Sequence, residues 1–102
     1  MFQPAAQASE RRAGAARKLK MARLLGGGGL EEEARQPLLD GALALARALA
    51  VEQRLPEPGT LDDALVSPLS HRWGAALDSL RAYLEDRKRA WQPLVDSLDR
   101  MI

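Results

Sequence analysis

Apolar residues in this chain return at intervals of three and four positions, and nearly all of them are alanine or leucine. That spacing places side chains on one face of an α-helix, whereas a half-buried strand needs apolar residues at alternate positions. Valine, isoleucine and threonine, which favour strands, are scarce, while alanine, leucine, arginine and glutamate are strong helix formers. The sequence therefore predicts an all-α fold.

Glycine and proline divide the apolar pattern into five segments. The predicted helices cover residues 5–25, 30–54, 60–66, 69–88 and 91–101. Short connections favour antiparallel neighbours, so we expect an up-and-down bundle of four long helices plus one short helix. A chain of 102 residues has the size of one domain, and we expect 1–102 to be a single helical-bundle domain, either a whole protein or a fragment of a larger one.

Three local features predict where helices begin and end. The run Gly26–Gly29 is expected to end the first helix with a left-handed C-cap. Thr60, with two aspartates after it, is typical of a helix N-cap. Pro37 lies inside the second apolar pattern and has no amide hydrogen to donate, so we expect a kink or a restart near Arg35–Gln36.

Composition excludes several classes of function. The chain has no cysteine, which rules out disulfides, thiolate zinc sites, iron–sulfur clusters and a cysteine nucleophile. Its uncharged apolar stretches, such as residues 41–46, are far shorter than the roughly 20 residues of a membrane span, and no apolar signal core follows the N-terminal charges. We therefore expect a cytoplasmic protein with no cofactor and no membrane partner.

Charge is divided unevenly along the chain. Residues 1–29 carry six basic residues and one acidic residue, whereas the remainder carries nine basic and thirteen acidic residues. On a helical wheel Arg12, Arg17, Lys20 and Arg23 fall within an arc of about 140°, largely opposite the apolar face. Such a patch is suited to nucleic-acid phosphates or an acidic protein partner, and the alternative is an ordinary solvated helix face.

No constellation of residues predicts catalysis. His71 is the only histidine, and Ser67 or Ser70 beside it lacks the orienting acid of a catalytic triad. Adjacent carboxylates at Glu31–Glu33 point in different directions, so we interpret them as first-turn helix electrostatics rather than a cation site. Trp73 and Trp91 are large enough to anchor a subunit interface, but for at least one of them we favour core packing.

The stretch from Ala15 to Leu65 resembles the HEPN superfamily of small helical domains. A basic helix with the sequence Ala-Ala-Arg-Lys-Leu leads to a glycine turn, then to a long Ala/Leu helix that ends at Leu55-Pro56-Glu57-Pro58. The resemblance covers about half of the chain. Ribonuclease members of the superfamily carry an arginine four to six residues before a histidine, and this pattern is missing before His71.

The resemblance thus implies a non-catalytic member, of the kind that accompanies nucleotidyltransferases or is fused to helicase-like ATPases. The predicted function is a non-enzymatic accessory module that forms a homodimer or binds a protein partner, and that is associated with nucleic acid. Two alternatives remain open. One is a degenerate nuclease or nucleotide-binding protein that uses His71, and the other is a structural oligomerisation domain.

Overall fold

Six helical elements make up the computed structural model, which describes residues 4–66, 69–74, 76–86, 88 and 90–102. The α-helices are α1 (Pro4–Gly27), α2 (Glu31–Glu52), α3 (Leu61–Ala64), α4 (Ala76–Glu85) and α5 (Gln92–Asp99), and a 3₁₀ turn covers Leu69–Arg72. No strand occurs among these residues, so the all-α prediction is confirmed. Four of the α-helices have eight residues or more and one is short, as predicted.

The hairpin of α1 and α2 is the largest part of the fold. At a rise of about 1.5 Å per residue, 24 residues make α1 about 36 Å long, and the molecule measures 44 × 24 × 21 Å. α1 runs two residues further than predicted and ends in a Schellman motif, in which Gly29 has a φ of +85° and the Leu30 amide donates to the Leu25 carbonyl at 2.8 Å. The left-handed cap is confirmed.

Small residues let the two helices of the hairpin approach closely. Ala8, Ala15 and Ala22 of α1 are buried at seven-residue intervals. Across from them, a Cβ added to Gly41 would lie 3.0 Å from Leu19 Cδ2. Gly26 belongs to α1 and not to the turn that follows it. A Cβ added to Gly26 would lie 2.3 Å from Trp91 Cε2. The glycine is what allows the Trp91 indole to pack against α1.

Pro37 lies inside α2, which is a single helix from Glu31 to Glu52. The restart expected near Arg35–Gln36 is therefore wrong. Pro37 lacks the amide hydrogen that would have bonded the Glu33 carbonyl, less than two turns after the start of the helix, and α2 continues past it. α2 ends two residues before the predicted boundary, where Arg54 takes up the left-handed conformation with a φ of 56° and Leu55 donates to Ala50 at 2.8 Å.

The chain after α2 is built from shorter elements than predicted. Thr60 is confirmed as the N-cap of α3, since its Oγ1 accepts a hydrogen bond from the Asp63 amide at 3.3 Å. The helix predicted over 69–88 is wrong in its first third: the 3₁₀ turn occupies that part, and Gly74, with a φ of +57°, separates it from α4. Pro68, which lies in the sequence between the helices predicted over 60–66 and 69–88, is outside the described residues.

One apolar core joins both halves of the chain. The hairpin contributes mainly alanine and leucine, and the later elements contribute the large side chains. Its buried members include Leu19, Leu38, Leu45, Trp73, Leu80, Tyr83, Trp91, Leu94, Val95 and Leu98. No described helix is long and apolar enough to cross a bilayer.

Candidate interaction surface at the tip of the helical hairpin

The predicted basic face of α1 is divided in the structure, and Arg12 belongs to its internally paired part. The Arg12 side chain donates to Glu52 Oε1 from Nε at 2.9 Å and also to the Met101 carbonyl. Glu52 is the last residue of α2, and Met101 follows α5. Arg12 therefore connects three parts of the bundle.

Arg23 is paired internally as well. It donates from Nη2 to Asp96 Oδ1 at 2.8 Å and from Nε to Asp99 Oδ2 at 3.1 Å, so two carboxylates of α5 hold one guanidinium of α1. The hydrogen bonds to Asp99 and then Asp96 raise the pKa of Arg23 above its ordinary value. Arg23 stays charged, and its positive charge is compensated within the chain.

A third pair, which the sequence reasoning missed, joins Arg11 Nε to Glu57 Oε1 at 2.9 Å. Arg11, Arg12 and Arg23 flank the buried alanine and leucine positions of α1 on its two sides. Side chains at the edge of the buried face can reach the neighbouring elements. The positions of these arginines on the helical wheel, next to the apolar face, were therefore a signal in the sequence that they form ion pairs. Ion pairs within the fold therefore neutralise part of the positive charge of the first helix with acidic residues from the rest of the chain.

The other two residues of the predicted basic face remain exposed. Arg17 and Lys20, together with Lys18 between them, are exposed on α1 and make no ion pair with any described residue. They lie about two to three turns before the end of the helix. This stretch carries the positive charge of α1 that no ion pair among the described residues compensates.

Large apolar side chains are exposed beside these cations. Leu24 is 69% exposed and Met21 and Leu30 are each 47% exposed, and these are three of the five large apolar residues that are exposed in the described part of the chain. Arg17, Lys20, Met21 and Leu24 follow spacings of three, four and seven, so they form one stripe on α1. We call this stripe, with Leu30 of the adjoining turn, the tip surface.

The acidic residues Glu31–Glu33 follow the tip surface directly. All three are exposed in the first turn of α2, as predicted. Glu31 and Glu32 line a cleft of about 270 Å³ together with Arg35 and Tyr83. The Arg35 guanidinium lies 4.9 Å from the centre of the Tyr83 ring. Burial raises the pKa of Tyr83, Arg35 lowers it, and Glu31 adds a smaller rise.

The two tryptophans lie in the core. Trp73 is 2% and Trp91 is 7% exposed, so the prediction that they anchor a subunit interface is corrected by their burial. Trp73 Nε1 donates to the Ala64 carbonyl at 2.9 Å. The buried Trp91 Nε1 has no hydrogen-bond partner among the described residues, and the indole packs against the backbone of α1 at Gly26.

His71 lies exposed in the 3₁₀ turn, with Ser70 partly buried beside it. Ser67, the other candidate partner, lies outside the described residues. Within the described part of the chain no three histidine, cysteine or acidic side chains come together as metal ligands. A catalytic role for His71 stays a prediction.

Comparison with protein-family models, curated proteins and solved structures finds no match to this chain. The resemblance to the HEPN superfamily therefore stays an expectation from the sequence. A function has to be argued from the exposed surfaces of the chain and from the contacts around them.

Proposed function

We propose that this chain is a non-enzymatic helical accessory module that binds another protein through its tip surface. The observation that carries the proposal is the exposure of Met21, Leu24 and Leu30 at one end of the hairpin. A buried leucine or methionine gains about 1.5–3 kcal/mol over an exposed one, and contiguous exposed apolar groups on small domains mark interaction sites.

Charge around the tip surface supports a protein partner. Arg17 and Lys20 lie on the same stripe as Met21 and Leu24, so the apolar residues have a polar rim on one side. An apolar centre with a polar rim is the usual composition of a protein interface. The resemblance to the HEPN superfamily adds an expectation of attachment to a larger protein, such as a nucleotidyltransferase or a helicase-like ATPase.

The test is site-specific photo-crosslinking in cells that naturally produce the protein. A photoreactive residue in place of Leu24 should give a protein adduct. The matched control replaces Ser9, which is exposed on the same helix about 22 Å away at 1.5 Å per residue. Adducts of equal yield from both positions, or from neither, would refute the proposal.

Nucleic-acid binding is a second candidate, favoured by the exposure of Arg17, Lys18 and Lys20. Binding to phosphates would weaken steeply with salt, by a factor that grows with the number of phosphates contacted. In this case R17A/K20A should reduce binding to RNA or DNA. R12A/R23A should reduce it much less, because those two cations pair with carboxylates of the chain. Equal losses from the two variants, or a signal independent of salt, would remove this candidate.

A further inference from the structure

Near the tip of the hairpin, the exposed basic residues before the turn and the acidic residues after it are equal in number. Arg17, Lys18 and Lys20 carry three positive charges before the turn, and Glu31–Glu33 carry three negative charges after it. No ion pair among the described residues joins the two groups. On α1 the cations Arg11, Arg12 and Arg23 each pair with a carboxylate, whereas the three cations of the basic group pair with none of the described residues.

The apolar part of the tip surface lies between these two groups in the chain. Met21 and Leu24 follow the basic group on α1, and Leu30 precedes the acidic group on α2. The Schellman turn, which connects Leu25 to Leu30 through backbone hydrogen bonds, fixes the acidic group beside the end of α1, about two to three turns from the basic group. The order is therefore basic, apolar, acidic.

We infer that the partner at the tip surface is a second copy of this chain, related by two-fold symmetry; this inference rests on the proposed function. In a two-fold dimer the same patch of both copies is in contact, and the two patches run in opposite directions. A residue at one end of the patch in one copy therefore contacts a residue at the opposite end of the patch in the other copy. The basic group of each copy then meets Glu31–Glu33 of the other, and the apolar residues meet across the axis.

The acidic side is accessible to the incoming cations. Glu31–Glu33 are all exposed in the first turn of α2, so a lysine or arginine side chain of the other copy can reach them. A nucleic acid fits this surface less well, because three carboxylates next to the cations would repel its phosphates. With six large apolar side chains in contact, the interface is small, and we expect a Kd in the micromolar range, on the order of 10⁻⁶ M.

Charge reversal on one side of the patch should break the dimer. In sedimentation velocity across micromolar concentrations, the unaltered chain should sediment as a dimer, whereas R17E/K20E and E31K/E32K/E33K should each be monomers. Either variant sets like charges against each other on both sides of the axis, and we expect its Kd to rise on the order of 100-fold. Circular dichroism checks that both variants keep their helices.

Mixing the two variants should restore a dimer, since the substituted positions of one variant then face the substituted positions of the other with opposite charge. This rescue is the outcome that a merely destabilising substitution does not produce. Leu24→Asp, which removes the apolar centre, should be monomeric alone and in every mixture.

A matched control separates the specific contact from general attraction between oppositely charged proteins. R72E/R100E reverses two exposed arginines outside the tip surface. Reversing two basic residues changes the net charge from +1 to −3 in both R17E/K20E and R72E/R100E. R72E/R100E should remain a dimer by itself and should not form a heterodimer with E31K/E32K/E33K.

Three outcomes would overturn the inference. One is a monomeric unaltered chain at all concentrations, another is a dimer that survives both charge reversals, and the third is a mixture that stays monomeric although both variants are folded. In each case the proposed function would still stand if the photoreactive residue at position 24 forms an adduct with a different protein in cells. Such an adduct is recognised because the added mass is not that of a second copy of the chain.

Discussion

The hairpin of α1 and α2 and the segment that follows Glu52 are held together by different side chains. In the hairpin, two helices of 24 and 22 residues pack through buried alanines and leucines. In the later segment the elements have four to ten residues, and the core side chains include both tryptophans and the one tyrosine of the chain. Isolated helices that short are unstable in water, so large buried side chains must hold them.

The difference shows two ways of specifying a helix. In the hairpin, apolar spacing over six turns determines where the helices lie, and small residues determine how closely they approach. In the later segment, position depends on a few anchors such as Trp73, whose indole donates to the end of α3. We therefore expect single substitutions to have larger effects at these anchors than at most positions of the hairpin.

The largest expected effect is at Trp73. Trp73→Ala removes a side chain that is 2% exposed, and we expect a loss of about 3–5 kcal/mol in the free energy of unfolding, measured by urea denaturation. Trp73→Phe keeps most of the apolar volume but leaves the Ala64 carbonyl without its donor, so its loss should be smaller. Arg72→Ala, at the exposed neighbouring position, is the control. A loss at Trp73 no larger than at Arg72 would show that the later segment does not depend on this anchor.

A smaller effect is expected where the two regions meet. Gly26→Ala places a Cβ 2.3 Å from Trp91 Cε2, and overpacking of this kind costs about 1–3 kcal/mol. Gly27→Ala adds the same methyl group to the same turn with no atom within 4 Å, and should leave stability unchanged or slightly raised. If the two variants unfold at the same urea concentration, Trp91 does not pack against α1 as described.

The hairpin could be predicted from the sequence more accurately than the later segment, for the same physical reason. Repeated apolar spacing is a local property, so the bounds of α1 and α2 were predicted to within about two residues. The break at Gly74 depends on where Trp73 packs, and such tertiary contacts have no signature in local spacing. The predicted helix over 69–88 was too long for that reason.

The candidate surface was predicted in part. Arg17 and Lys20 are exposed as expected, but Arg12 and Arg23 pair with residues 40 or more positions away in the chain. Sequence spacing cannot identify partners so distant. Met21 and Leu24 were missed although a signal existed: two large apolar residues three positions apart lie on the polar side of α1, where nothing in the helix itself requires them.

The last prediction concerns a contact between the regions whose contribution to stability changes only at alkaline pH. Burial raises the pKa of Tyr83 in the folded chain above the ordinary value of about 10. The folded state then holds this proton more tightly than the unfolded state. The contribution of protonated Tyr83 to the free energy of unfolding is therefore fully present below the pKa that Tyr83 has in the unfolded chain. It is lost as the pH rises through the pKa that Tyr83 has in the folded chain.

Tyr83 is the only tyrosine, so the absorbance of tyrosinate follows this one group. It should titrate at a higher pH in the native chain than in urea, and Tyr83→Phe should reduce the fall of stability at alkaline pH. Arg35, over the Tyr83 ring, opposes the rise, so Arg35→Ala should move the native titration further upward. Identical titrations in native and unfolded chains would mean that water reaches the phenol, and that α4 packs less tightly on the hairpin than the described core requires.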